Sequence, residues 1–289
     1  MVWKEIISKS SDYLAAKGVP DACVAGELLA ARLLNVGRGL LAGEWTKEAP
    51  VRCVEAMRRG MRRLVEGEPI QYVLGEWDFR TLTLKCDRRA LIPRPETEEL
   101  VTRALKWLNA RRDGAADAKP LVIDVGTGTG AIILSLAREF KGEAMFIGTD
   151  VSEDAIALAR ENAAKCGLDG RVKFAVADGL DDFDEPGVVD AIVSNPPYVE
   201  TAVCETLDPR VRDWEPRLAL DGGTTGLDFY DRYLGDALNL LKPGGAVFFE
   251  IGENQGEALR NLMFDYGFDN ILIERDYAGH DRYASATLP

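Results

Sequence analysis

The chain has 289 residues, 46% of them hydrophobic, and a formal net charge of -13. That length exceeds one average domain, and that apolar fraction supports a sizeable core. The negative balance excludes a protein that grips nucleic acid with its whole surface, because such binding rests on neutralising phosphates with Lys and Arg. It leaves room for a local basic patch, with Arg58-Arg59 and Arg62-Arg63 or Arg88-Arg89 as candidates, or for plain solubility.

Residues 1–68 read as helices alone and are expected to form a small domain. Trp3, Ile6, Ile7, Tyr13 and Leu14 suggest a first amphipathic helix that stops near Gly18-Val19-Pro20. Asp21 is placed to cap a second, with Ala25, Leu28, Leu29, Ala31 and Leu33 or Leu34 on or near a buried face. Pro50 opens a third, where Val54, Met57, Met61 and Leu64 recur at helical spacing. No nucleophile-base pattern occurs here, so this domain reads either as a partner-recognition module or as a stabilising cap. Residues 69–90 change character. Aromatic and β-branched residues from Ile70 to Leu84 predict a β-hairpin linker, and Leu82-Thr83-Leu84-Lys85 alternates as a half-buried strand does.

The third region, 91–289, starts with Leu91-Ile92-Pro93-Arg94, held extended by prolines, before a helix from Pro95 or Glu96 whose acids suit its amino end. Arg111 to Asp117 reads as a polar, exposed loop. Strands then alternate with helices: strands at 121–125, 144–148, 171–175, 188–194 and 246–251, and helices at 131–140, 152–166 (capped by Ser152), 227–241 and 256–266. Residues 270–274 and 283–288 close the chain as an antiparallel pair. This alternation predicts an α/β fold, a mostly parallel sheet with helices on both faces. No repeat or low-complexity tract is present. The five cysteines, Cys23, Cys53, Cys86, Cys166 and Cys204, are dispersed and read as small buried free thiols in a reducing compartment. With His280 as the single histidine, no metal site is expected. No signal-peptide pattern and no apolar run long enough to span a membrane is found, so the expected location is the cytoplasm.

Two motifs carry chemistry. The strand ending at Ser194 runs into Asn195-Pro196-Pro197-Tyr198. The proline pair ends the ladder and fixes the path beyond it. The Asn195 amide and the carbonyls of Asn195 and Pro196 can grip a planar amide or an amino-purine edge, with Tyr198 near enough to stack; an ordinary Asn-Pro turn is the bland alternative. The second motif is Asp124-Val125-Gly126-Thr127-Gly128-Thr129-Gly130. It lacks the Gly-Lys-Ser/Thr of a phosphate loop, and its third glycine comes one residue early for a dinucleotide fingerprint. Asp124 would repel a pyrophosphate and attract an ammonium group. Asp150 ends the next strand, where a carboxylate takes ribose hydroxyls, and Asp178 ends the one after, near an adenine amino group. An amino acid plus a nucleoside without phosphate describes S-adenosylmethionine; a glycine turn serving NAD, or no ligand, is the alternative.

These segments together resemble the bacterial protein-(glutamine-N5) methyltransferases that modify peptide chain release factors. The resemblance runs through Pro69-Ile70-Gln71-Tyr72-Val73-Leu74-Gly75, Ile92-Pro93-Arg94-Pro95-Glu96-Thr97-Glu98, the glycine loop, Asn195-Pro196-Pro197-Tyr198, Glu215-Pro216-Arg217-Leu218-Ala219-Leu220, Glu250-Ile251-Gly252 with Gln255, and Asp276-Tyr277-Ala278-Gly279 with Arg282. Thr224-Thr225 departs from it, where the family often has a charged residue. The resemblance implies a seven-stranded Rossmann-like class I methyltransferase sheet and S-adenosylmethionine as methyl donor. It implies the glutamine of the Gly-Gly-Gln loop of class I release factors as acceptor, with the factor held partly by the helical domain. A glutamine methyltransferase acting on a ribosomal protein is the nearer rival. An adenine-N6 nucleic-acid methyltransferase shares only the Asn-Pro-Pro-Tyr motif, and sequence-specific nucleic-acid binding is not expected. A binding protein with a decayed cofactor site is the rival of a different class.

On this reading the cofactor site comprises Asp124, Gly126, Thr127, Gly128, Gly130, Asp150, Asp178 and Asn195. Asn195 and the Pro196 carbonyl would accept the two N–H groups of the acceptor amide and aim its lone pair, with Pro197 and Tyr198 packing on it. No general base is assigned, because the nitrogen becomes strongly acidic only after transfer. Arg94 is a candidate for contacting cofactor, substrate or Glu96. Glu250 is either a supporting residue or a solvated strand end, and His280 reads as a surface residue.

Overall fold

The computed structural model describes residues 1–114 and 119–289, with the backbone alone at 113 and 114. The chain forms two compact units. The first comprises Met1–Trp77 with Asp208–Trp214, and the second Asp78–Leu207 with Glu215–Pro289.

In the first unit, helices α1 (Trp3–Ala16), α2 (Ala22–Leu34) and α3 (Val51–Val65) enclose a core of Trp3, Ile6, Leu14, Leu29, Met57 and Leu64. The expected cap at Asp21 is corrected. Asp21 sits in the left-handed region at φ 48 and its side chain makes no cap hydrogen bond; its backbone carbonyl accepts from the Ala25 amide instead. The expected hairpin over 70–90 divides. Ile70–Leu74 is a short helix, α4, and the strands are only β1 (Glu76–Phe79) and β2 (Leu82–Lys85). Pro69 opens α4 and Gly75, at φ 74, closes it, so local helix signals override the β-branched composition between them. Leu82 and Leu84 are buried while Thr83 and Lys85 are exposed, as their alternation predicts.

The second unit is built on α5 (Pro95–Gly114) and a seven-stranded sheet. Its strands are β3 (Leu121–Val125), β4 (Met145–Asp150), β5 (Val172–Val176), β6 (Val189–Ser194), β7 (Leu241–Glu250), β8 (Asp269–Arg275) and β9 (Asp281–Thr287). Their order is β5-β4-β3-β6-β7-β9-β8, parallel from β5 to β7 and antiparallel at β9 and β8. Helices α6 (Ala131–Glu139), α7 (Glu153–Lys165), α10 (Asp228–Leu240) and α11 (Gly256–Asp265) cover the sheet; short turns α8 (Thr201–Cys204) and α9 (Pro209–Arg212) lie between α7 and α10 in the chain.

Side chains alternate across each strand and so divide the apolar residues between two cores. Val122, Ala191, Val193, Ala246 and Phe248 pack with α5 and α6; Ile123, Ile192, Val247 and Phe249 pack with α10 and α11. Each Val, Ile or Phe among them contributes about 1.5–3 kcal/mol of burial. Ser152 caps α7 as expected, its hydroxyl accepting from the Ala155 amide. Arg111 and Arg112 belong to α5 rather than to a loop: Arg111 donates to the Gly244 carbonyl at 2.7 Å and lies over the Trp107 ring. The rest of that expected loop, 115–117, lies outside the described residues. The cysteines are unpaired. Cys86 and Cys204 are buried, whereas Cys23 is exposed, contrary to the expectation that all five are buried.

Candidate active site

Sheet register assembles the site. Val125 of β3 pairs with Thr149 of β4 and Ser194 of β6, and Ser194 pairs with Phe249 of β7. The next residues in the chain are Gly126, Asp150, Asn195 and Glu250. Four strand ends thus deliver a glycine loop and three polar side chains in one row. The order reverses between β3 and β6, which places the row at the switch point where open α/β sheets bind ligands. The buried Ser194 hydroxyl donates to the Val125 carbonyl at 2.6 Å and fastens the two central ends together.

A cleft opens above this row. Gly126, Thr127, Gly128, Asp150, Asp178, Asn195, Pro197 and Arg94 line it, joined by Ile92, Thr97, Ala155, Phe229 and Tyr233. Gly126, Gly128 and Gly130 all have positive φ, which lets the loop curl off β3 with no Cβ between backbone and ligand. Asp124 lies beneath the loop, fully buried. The Thr127 hydroxyl donates to its Oδ2 at 2.6 Å, whereas Oδ1 makes no hydrogen bond of ordinary geometry among the described residues, the Ile133 amide being its near polar neighbour. Burial pushes this carboxyl up to about 7. Asp150 accepts from the Gly128 amide on Oδ2 and the Ser152 amide on Oδ1, each at 2.9 Å, and burial raises its pKa. Asp178 is exposed and pairs with Arg232, which also holds Asp181 and the Asp178 carbonyl.

Asn195 donates through Nδ2 to the Thr97 hydroxyl at 3.2 Å, and that hydroxyl donates to Glu250 Oε2 at 2.6 Å. Glu250 is 1% exposed, so it is not a solvated strand end. Arg94 pairs with the buried Glu215 at 2.5 Å rather than with Glu96, and Glu215 also accepts from the Ile92 amide; the pair ties down the extended segment at the cleft wall. Asp124, Gly130, Pro196 and Tyr198 do not themselves line the cleft. The Tyr198 ring packs with the apolar cluster under α10 and α11, so stacking on an acceptor requires it to turn out of that cluster. Its backbone is clamped by Gln255, whose Nε2 donates to the carbonyls of Tyr198 and Gly226. His280 lies on the surface beside Glu253. Sequence reasoning missed Phe229 and Tyr233, whose spacing on α10 reads as core, and the roles of Thr97, Glu215 and Gln255, whose partners are remote in the chain. No group of side chains able to hold a metal occurs among the described residues.

The loop after α9 approaches this backbone closely. A Cβ on Gly222 would lie 2.6 Å from the Pro197 carbonyl oxygen and 2.8 Å from the Tyr198 Cα. Both are main-chain atoms that cannot swing aside. Gly222→Ala is therefore expected to destabilise the second unit by about 1–3 kcal/mol. Hydrogen exchange checks this: the Val199 and Gly222 amides, bonded across this contact, lose protection.

Comparisons with known proteins agree with the geometry. Residues 117–264 match the family described as methyltransferase domain, and residues 5–75 the family described as PrmC N-terminal domain. The release factor glutamine methyltransferase of Moorella thermoacetica is 37% identical, the match covering 98% of this chain and 97% of that protein. Its counterpart in Chlorobaculum tepidum is 36% identical over 97% and 96%. The human MTRF1L release factor glutamine methyltransferase is 33% identical over 96% and 85%. Among solved structures, the hMettl16 catalytic domain superposes with a TM-score of 0.54 at 17% identity, covering 72% of this chain and 78% of that one. A methyltransferase from Pyrococcus furiosus gives 0.51 at 17%, covering 79% and 97%. These two share the fold.

Proposed function

This chain belongs to the release factor glutamine methyltransferase family, and we propose that it methylates the side-chain amide nitrogen (N5) of the glutamine in the Gly-Gly-Gln loop of peptide chain release factors, with S-adenosylmethionine as donor. The observation that carries this reading is the row of strand ends. It sets a carboxylate and a glycine loop on one side of Asn195 and a buried acid on the other.

The residues fit the donor. Asp124, buried beneath the glycine loop and off the cleft wall, would act on an ammonium group through its charge or through a bridging water, and that same charge disfavours a phosphate ligand. Asp150 spends two of about four lone-pair positions on backbone amides and keeps the rest for ribose hydroxyls. Gly126, Thr127 and Gly128 give close backbone approach, Gly130 serves the turn into α6 rather than the cleft wall, and Asp178, Phe229 and Tyr233 shape the far end for a nucleobase. When bound, the donor supplies a sulfonium-activated methyl group.

The chain's own work is placement. An amide nitrogen is a weak nucleophile, and its lone pair becomes available only as the amide is held and twisted toward the donor. The Asn195 Oδ1 accepts an N–H group and binds it more tightly as the nitrogen becomes positive; Pro196 is buried and off the cleft wall, so its carbonyl takes the second N–H only once the acceptor loop has entered as far as that residue. Pro196 and Pro197 fix the path of these acceptors. Arg94, tethered to Glu215, borders the entrance for the acceptor loop. Residues 1–68 are assigned to recognition of the release factor, residues 69–90 to the linker and 91–289 to catalysis. No described helix is long and apolar enough to cross a membrane.

The test is transfer of label from S-adenosylmethionine. Unmodified release factor should be labelled; the same factor with its Gly-Gly-Gln glutamine changed to alanine, duplex DNA and ribosomal proteins should not. Label on DNA or on a ribosomal protein instead overturns the assignment.

A further inference from the structure

Glu250 has no part in the reaction as described above, yet it is buried to 1% beside the acceptor-binding residue. Among the described residues its side chain receives a hydrogen bond from Thr97, which is itself 4% exposed and receives the Asn195 amide. We propose that Glu250, acting through the Thr97 hydroxyl, is a positioning residue that sets which end of the Asn195 amide faces the acceptor. This rests on the reading of Asn195 as the group that grips the substrate amide.

The argument is one of hydrogen-bond inventory. A hydroxyl has a single hydrogen, and an ionised carboxylate only accepts. The Thr97 hydrogen must therefore go to Glu250. Thr97 can then only accept from Asn195, and within that side chain only Nδ2 can donate. The amide is thereby locked with Nδ2 turned to Thr97 and Oδ1 left for the cleft, which Asn195 lines. With Oδ1 outward, the site accepts the N–H groups of a substrate amide; with Nδ2 outward, it would present donors to donors. A protonated Glu250 gives its own hydrogen to Thr97, frees the Thr97 hydrogen and removes the lock.

Burial pushes the Glu250 carboxyl up to about 7, so the lock is complete on the alkaline side of that value and released on the acid side. The groups that set this balance come from each element around it. Glu96 on α5 opposes the charge; Arg94 before α5 and Arg282 on β9 favour it. Tyr198, Tyr230 and Tyr283 also face it, and the Tyr230 hydroxyl donates to the Glu250 backbone carbonyl at 2.8 Å.

The full-length protein is compared with Thr97→Val, Thr97→Ser and the Thr97→Val/Glu250→Gln double variant. Thr97→Val removes the relay while keeping its volume, and kcat for release factor should fall by about tenfold or more, with KM and S-adenosylmethionine affinity within about twofold. Thr97→Ser should restore most of kcat, and the double variant should be no slower than Thr97→Val, because both changes act through Asn195. In free protein labelled with nitrogen-15, the Asn195 side-chain signals, identified by their absence in Asn195→Ala, should move between about pH 5.5 and pH 8.5 in the parent and stand still in Thr97→Val. Kinetics of Thr97→Val within about twofold of the parent, equal damage in Thr97→Ser, or parent signals that do not move overturns the proposal. A parent protein that fails to label release factor sinks the functional reading instead, and the resonance titration still decides the relay.

Discussion

Asn195→Ala is expected to lower kcat for release factor methylation by about a hundred- to a thousandfold, the scale set by removing one preorganised hydrogen-bonding group from a reacting centre. The side chain sits on the central strand end, which Ser194 ties to the Val125 carbonyl of β3, and its own amide is held by Thr97. Its removal leaves the row of Gly126 and Asp150 in place, so S-adenosylmethionine binding should change by less than about threefold. Single-turnover transfer with pre-bound donor separates the two effects. A parallel loss of donor affinity would mean that Asn195 serves the cofactor rather than the acceptor. Asn195→Asp sharpens the test, because it keeps an accepting oxygen but loses the donor to Thr97. It should remain impaired.

Stability of the second unit is expected to decline as pH rises from about 4 to about 7, and Asp124 is a principal cause. Its carboxyl is moved up from 3.8 to about 7 by burial, so the folded state holds a proton that the unfolded chain has released. A raised acid gives its full stabilising contribution below the unfolded value and loses it as pH climbs through the folded one. A displacement of this size corresponds to about 4 kcal/mol. Asp124→Asn keeps the shape and removes the charge. At about pH 3 it should match the parent, and it should pull ahead progressively as pH climbs from about 4 to about 7; at about pH 8 it should be the more stable of the two while binding S-adenosylmethionine far more weakly. Hydrogen exchange of β3 amides measures this locally, without assuming that the two units unfold together. Equal pH slopes for parent and variant would contradict it. Glu250 adds a contribution of the same sign through the same window. The enzyme therefore carries two buried acids at the ends of β3 and β7, the two strands that flank β6, and both cost stability at neutral pH, a cost placed where chemistry needs it.

What the sequence disclosed follows from how far apart the cooperating residues lie. The glycine loop and the Asn-Pro-Pro-Tyr turn are contiguous, so each announces itself, and the strand alternation of 121–194 places both at carboxyl ends. The relay through Thr97 joins residues 98 and 153 positions apart, and no local pattern marks it. Arg94 shows the same limit: Glu96 is its near neighbour in sequence, but the sheet supplies Glu215 from 121 residues away. Misreadings of local structure have local causes. Ile70, Tyr72 and Val73 carry strand propensity, yet Pro69 and Gly75 bracket one helical turn. Asp21 has the right side chain for a cap but the wrong backbone geometry. Arg111-Arg112 reads as loop by its polar composition, yet it continues α5; Arg111 is exposed as expected while it donates to the Gly244 carbonyl and lies over Trp107.

The division of the chain bears on its synthesis. A ribosome releases the protein from its amino end, and domains generally fold as they emerge. The helical unit comes out first, but it is discontinuous and includes Asp208–Trp214. Its last segment is made only after β3, β4, β5 and β6 have been translated. The earliest part of the chain is thus completed late, when four of the five parallel strands are already available and β7, β8 and β9 are still to come. A nascent chain halted before Trp214 holds an N-terminal unit that lacks its final piece, and the timing of translation decides how long it stays that way.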